Sequence, residues 1–154
     1  MNAPRQEDSS PLTVSSPDLP GGTFPRAFTC DGANRIPRLE WGTPPAGTQA
    51  LAIEMLDPDA PGGTFTHWLV YGLPPGLSSL TAVPAGAAEG VNDFGGAATG
   101  ARAHRGTAHH YHFVVLALET RLGLAAGAAR SDLESRASGH VLGRGELVAT
   151  YQRS

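Results

Sequence analysis

Two apolar segments separated by a loop rich in proline and glycine set the strongest limit on the fold. The segments are ALAIEML at 50–56 and FTHWLVYGL at 65–73, and the second is rich in aromatic and branched residues that favour strands. The loop between them, 57–64, contains two prolines and two glycines, which exclude a helix there. Both faces of the first segment are mostly apolar, so we expect it to lie centrally in a sheet. The pair therefore predicts an antiparallel hairpin with a long loop.

The rest of the chain predicts a mainly β protein. Further strands are expected at 12–16, 111–119 and 145–153. Residues 1–11 are polar and are predicted to be frayed, whereas the long stretch 74–110 has little periodicity. Because there is no repeat and no linker, we expect residues 1–154 to form a single domain.

One short helix is expected over 131–139. Ser131 and Glu134 have the S-x-x-E spacing of a capping box at its start. Gly139 is suited to the left-handed residue that ends many helices. The pattern therefore predicts a helix with a defined beginning and end.

The charge and composition exclude several classes of function. The net charge is −3 and there is no basic run, so nucleic-acid binding has no electrostatic support. There is no long apolar segment, so we expect no membrane span, and the polar N-terminus does not resemble a signal peptide. With Cys30 as its single cysteine, the chain can form no internal disulfide. We expect a cytoplasmic protein.

Asp57 and Asp59 in the hairpin loop are the first candidate site residues. They flank Pro58, and His67 begins the returning strand at the same end of the hairpin. A structural explanation is that the carboxylates cap turns by accepting backbone N–H groups. The alternative is a functional site, since a carboxylate can fix the tautomer of a histidine and raise its pKa.

Histidines are concentrated in one later segment. The six histidines are His67, His104, His109, His110, His112 and His140. On a strand, HHYH at 109–112 places His109 and Tyr111 on one face and His110 and His112 on the other. Each histidine alone is most simply a surface or core residue. Asp and His together can also ligate zinc or iron, but no spacing matches a known zinc motif.

Several ordered motifs resemble one known family. They are FTCDGANRIPRLEW, DPDAP, THWLVYGLP, GVNDFGG, HHYHFVVLAL and GHVLGRGELVATYQR, and they span nearly the whole chain, about residues 12–153. The chain is similar to the phosphatidylethanolamine-binding protein family, in its short bacterial, Raf kinase inhibitor-like branch. The resemblance implies a large central antiparallel sheet, a smaller second sheet and one or a few short helices.

The resemblance also implies a ligand-binding site. By motif match its residues are Asp57, Asp59, His67, His109 and Tyr111. The chain departs from the family at His110, where arginine is usual, and at Arg38, where proline is usual. It also departs in the loop GARAHRG at 100–106, which lacks the family's prolines. We expect Arg38 to be an ordinary surface residue.

The family's pocket takes small anions, such as phosphate or a phosphoethanolamine head group. We therefore expect a binding module and not an enzyme, with no cofactor and no metal. A kinase or protease regulated by the protein, and a homodimer, are further expectations of the resemblance. Two alternatives stay open: a metal-dependent hydrolase that uses the Asp/His cluster, and an interaction protein with a vestigial pocket.

Overall fold

The computed structural model describes residues 10–30, 32–33, 35–60, 62–96 and 108–152. Strands dominate these residues. In chain order they are β1 (Ser10–Leu12), β2 (Val14–Ser15), β3 (Leu39–Trp41), β4 (Ala50–Asp57), β5 (Phe65–Leu73), β6 (Ser79–Leu80), β7 (Ala88–Glu89), β8 (Ala108–Leu118) and β9 (Val141–Gln152). The helical elements are α1 (Arg130–Ala137) and the single 3₁₀ turns Pro20–Gly22 and Arg26–Phe28.

The strands form two sheets. The large sheet has the order β1-β9-β8-β4-β5-β7, and the small sheet has the order β2-β3-β6. All pairings are antiparallel except that of β1 with β9, which is parallel. The predicted hairpin of β4 and β5 is confirmed, with Met55 opposite Trp68 and Asp57 opposite Phe65. The mainly β architecture with a large and a small sheet is therefore confirmed.

The large sheet is buried on both faces, as the apolar pattern of β4 predicts. Leu51, Ile53 and Met55 belong to the main core, which also receives Leu39 and Trp41 of the small sheet. The alternate residues of β4 face a second core, whose members include Leu133 and Ala137 of α1. Because side chains alternate along a strand, one segment supplies both cores.

The prediction that residues 1–11 are frayed is wrong for Ser10 and Pro11. These residues begin β1, which pairs with Gly143–Gly145 of β9. Proline lacks an N–H group, and a sheet tolerates it on an edge strand such as this one. Residues 1–9 lie outside the described residues.

The helix begins one residue earlier than its sequence pattern predicts. Arg130 is its first residue, so Ser131 lies inside the helix and does not cap it. Asp132 instead accepts a hydrogen bond from the backbone N–H of Ala129, at 3.4 Å. An acidic side chain in the first turn is also favoured by the helix dipole. The predicted role of Gly139 is confirmed, because this residue follows the helix with a φ of +81°.

Candidate functional site

Three neighbouring strands meet at one end of the large sheet. Leu56 near the end of β4 pairs with Thr66 of β5 on one side and with His112 of β8 on the other. This register places the last residue of β4 beside the beginnings of β5 and β8. The sequence-predicted residues Asp57, His67 and the HHYH segment therefore come from adjacent strands.

The alternation predicted for HHYH is confirmed. His109 and Tyr111 are buried in the core face of β8, whereas His110 is exposed and His112 is half-buried. His67 is also buried, with 1% of its surface exposed. Of the five histidines that the structure describes, His67 and His109 therefore lie inside the protein at this end of the sheet.

Asp57 and His109 form a buried pair. Oδ2 of Asp57 lies 2.6 Å from Nδ1 of His109, and their side chains are only 2% and 3% exposed. A carboxylate has only acceptors, so the contact assigns a proton to Nδ1 of the imidazole. The other oxygen, Oδ1, accepts the backbone N–H of Asp59 at 2.9 Å. Asp57 therefore caps its own turn and also fixes the orientation of His109, leaving Nε2 as the second polar atom of the ring.

Tyr111 lies between the two buried histidines. Its ring centroid is 5.2 Å from that of His67, edge to face, and 6.3 Å from that of His109, nearly parallel. Phe24 packs edge to face against the same ring at 5.3 Å. These contacts hold the tyrosine between two imidazoles, and we refer to Asp57, His67, His109 and Tyr111 as the buried cluster.

Asp59 does not join the buried cluster. Its carboxylate turns to the solvent side and accepts the backbone N–H of His110 at 2.9 Å and contacts Nδ1 of that ring at 2.8 Å. These hydrogen bonds hold the pKa of Asp59 below its ordinary value. Asp57 still belongs to β4 and follows its inward alternation, whereas Asp59 lies beyond Pro58 in the turn. The two carboxylates consequently serve different histidines.

The loop formed by the GVNDFGG motif supports His67. No role was predicted for this motif from the sequence. Asn92, in the GVNDFGG segment, is buried and donates from Nδ2 to the backbone carbonyl of His67 at 3.2 Å. Its Oδ1 accepts the backbone N–H groups of Phe94 and Gly96, both at 2.9 Å. One amide side chain therefore shapes the loop and attaches it to β5.

Phe94 extends the aromatic surroundings of the buried cluster toward solvent. Its ring centroid is 4.5 Å from that of Phe65 and 5.9 Å from that of His67. It is nevertheless 48% exposed, which is unusual for a large apolar side chain in this protein. Phe94 is thus a candidate rim residue, and the resemblance of GVNDFGG to a family motif was the signal that could have identified it.

The side chain of Arg38 is 40% exposed, as expected for a surface residue. Its Nε contacts Glu40 at 3.0 Å and its Nη2 donates to Ser79 at 3.0 Å, both on the small sheet. The GARAHRG loop, with His104, lies outside the described residues.

In residues 10–96 and 108–152, apart from positions 31, 34 and 61, no three His, Cys, Asp or Glu side chains group closely enough to share a metal ion. Over the same part of the chain, no helix has the length and apolarity required to cross a membrane.

Comparison with known proteins assigns this chain to a protein family. A sequence model described as phosphatidylethanolamine-binding protein matches residues 14–152, which is nearly the whole chain. The chain therefore belongs to the phosphatidylethanolamine-binding protein family, in agreement with its ordered motifs and its two sheets.

Individual relatives support the bacterial branch. The UPF0098 protein of Aquifex aeolicus is 39% identical over 142 residues, which cover 86% of this chain and 83% of the relative. The UPF0098 protein PH1269 of Pyrococcus horikoshii is 38% identical, covering 96% of this chain and 79% of the relative. The crystal structure of Escherichia coli YbcL, titled a new member of the mammalian PEBP family, superposes with a TM-score of 0.85. The superposed residues are 28% identical in sequence and cover 93% of this chain and 99% of YbcL.

Proposed function

We propose that the buried cluster binds a small anionic or phosphorylated ligand, such as phosphate or a phosphoethanolamine-type head group. The observation that carries the proposal is the buried pair of Asp57 and His109, with Tyr111 packed between His109 and His67. A buried carboxylate costs free energy unless it is paired, and here its partner is an oriented imidazole. The family's name, which refers to a phospholipid, supports this class of ligand.

The residue types suit an anion. Imidazole N–H groups and a phenol O–H donate hydrogen bonds, and a protonated imidazole adds positive charge to the bond. Asp57 opposes an anion directly but favours it indirectly, because its contact with Nδ1 holds the His109 ring in one orientation. A zwitterionic ligand can also place its ammonium group near a carboxylate while its anionic group faces the hydrogen-bond donors.

Calorimetric titration with phosphate and with phosphoethanolamine at pH 5.5 and 8 tests the proposal. We expect tighter binding at pH 5.5, because protonated imidazoles strengthen the hydrogen bonds. His67→Ala should weaken binding by about 1.5–3 kcal/mol, the range for a hydrogen bond to a charged group. Asp57→Asn should cost less and flatten the pH dependence.

His140→Ala is the matched control, because His140 contacts Glu119 at 3.0 Å and is not part of the buried cluster. Its phosphate affinity should equal that of the parent protein. If His67→Ala, folded as judged by circular dichroism, binds phosphate like the parent at both pH values, the assignment of the site is wrong.

The remaining expectations extend the proposal. We propose that the protein binds its ligand without converting it, and that it regulates a kinase or a protease. Elemental analysis of protein purified without chelator tests the hydrolase alternative, which requires one stoichiometric metal ion. Light scattering tests the homodimer, and cell fractionation tests the cytoplasmic location.

A further inference from the structure

A cavity lies on the opposite face of the large sheet from the main core. It has a volume of about 320 Å³, and its floor is formed by Glu54 and Leu56 of β4 and by Val114 and Leu116 of β8. One wall is α1, and Arg144 of β9 lies on the other side. This volume is in the range of small-molecule sites, which begin at roughly 300 Å³.

The floor of this cavity is apolar apart from one group. Leu56, Val114 and Leu116 are all buried and belong to the second core. They lie in adjacent strands, with Leu56 opposite His112 and Glu54 opposite Val114. Such a floor favours the apolar part of a ligand, because its contact with the floor removes apolar surface from water.

Glu54 is the exception on the floor. It is only 2% exposed, although its two neighbours on the same face of β4 are apolar. Burial, with a contribution from the nearby Glu134, raises the pKa of Glu54 to about 8. At neutral pH it is therefore mainly a neutral carboxyl group, which can donate a hydrogen bond. A buried carboxyl group costs free energy unless partners compensate it, and here Arg130 and Glu134 are those partners.

Two arginines supply positive charge at the walls. Arg130 contacts Glu54 at 3.4 Å and Glu134 at 3.8 Å, and Arg144 contacts Glu146 at 3.8 Å. These distances exceed those of good hydrogen bonds, which are 2.7–3.2 Å. Each guanidinium carries five N–H donors in a planar fork that matches a carboxylate. Both side chains are partly exposed, at 35% and 49%, so they can move toward a ligand.

We propose that this cavity is a second binding site, and that it takes a small amphipathic acid. The apolar body of the ligand lies on Leu56, Val114 and Leu116, and its carboxylate is held by Arg130 and Arg144. Glu54 in its neutral form places no negative charge on the floor that would repel the carboxylate of the ligand. Arg130 and Arg144 lie 3.8 Å from Glu134 and Glu146, so these ion pairs are loose and each guanidinium can turn toward the carboxylate of a ligand.

Octanoate is the probe for this site, with octanol and octylammonium as ligands of the same chain length. In two-dimensional amide NMR at pH 7, octanoate should shift signals of α1 and of β9 near Arg144. The signals of His67 and His109 should stay in place, which separates this site from the buried cluster. Octanoate should bind at least tenfold more tightly than octylammonium. The reverse order, or shifts confined to the buried cluster, would overturn the proposal.

Variants test the residues of the wall. Arg130→Gln and Arg144→Gln should each weaken octanoate binding about tenfold, the effect expected for one charge-assisted hydrogen bond. Arg136→Gln is the matched control, because Arg136 lies on the same helix but donates to the carbonyl of Leu122 at 2.7 Å. Equal affinity of Arg130→Gln, Arg144→Gln and the parent protein would contradict the proposal.

The pH dependence of octanoate binding tests the role of Glu54. Octanoate affinity should fall by tenfold or more between pH 7 and 9.5 as Glu54 ionises, and Glu54→Gln should bind octanoate at pH 7 and lose this fall. The other charged groups near this face are Arg130 and Glu134 of α1, Arg144 and Glu146 of β9, and His112 of β8, which contacts Glu146. An unchanged pH profile in Glu54→Gln would show that Glu54 takes no part.

Discussion

Replacing Glu54 by glutamine should stabilise the protein, and the gain should grow with pH. In the folded protein, burial raises the pKa of Glu54 from its ordinary value of 4.5 to about 8. Between these values the folded state holds a proton that the unfolded chain has lost, so stability falls as pH rises. The fall from this group is about 1.4 kcal/mol per pH unit, or roughly 5 kcal/mol in total by pH 8. Glutamine imitates the neutral carboxyl group and cannot titrate, so it avoids this loss.

Urea unfolding of the parent protein and Glu54→Gln at pH 4.5, 6, 7 and 8 measures the effect. The two proteins should be nearly equally stable at pH 4.5, and Glu54→Gln should be the more stable by a few kcal/mol at pH 8. Typical domains have a total stability of roughly 5–15 kcal/mol, so this difference is easily measured. Glu40→Gln is the control, because the Glu40 side chain is 45% exposed and lies on the small sheet. A difference between the parent and Glu54→Gln that stays constant from pH 4.5 to 8 would refute the reasoning.

Two further predictions concern positions that hold the fold together around the sites. Gly145→Ala should cost about 1–3 kcal/mol in urea unfolding, because its Cβ would lie 2.3 Å from the carbonyl oxygen of Leu12 and would displace β1. Gly76→Ala, whose Cβ would meet nothing within 4 Å, should be nearly neutral, and equal losses in both variants would contradict this account. Asn92→Ala should cost about 2–3 kcal/mol, because it removes an amide that bonds the loop to the carbonyl of His67. It should also weaken phosphate binding at the buried cluster, and an unchanged affinity would show that the loop does not position His67.

The long strands β4, β5 and β8 and the buried face of β8 could be predicted from the sequence, because their causes are local. The apolar run at 50–56 requires burial on both faces wherever it lies, and prolines and glycines disfavour regular structure in residues 58–64. The alternation of HHYH likewise places His109 and Tyr111 on one face in any sheet. The ordered motifs then indicated the family, and with it four residues that the structure brings together. The start of the helix was misplaced by one residue, since the S-x-x-E pattern carries no information on where the preceding chain arrives.

Only the tertiary structure decided how the carboxylates are divided. Asp57 and Asp59 are two positions apart, and an extended chain would place them on one side. The turn after Pro58 instead gives Asp57 to His109 and Asp59 to His110, residues about fifty positions away that the register of β4 with β8 brings near. The charge of Glu54 was also decided only by the tertiary structure. Its place in an apolar strand is visible in the sequence, but α1 covers that face with Arg130 and Glu134, and this packing sets the charge of the buried carboxyl group. A pKa depends on the groups around a side chain in space, and strand alternation does not specify which element will pack above it.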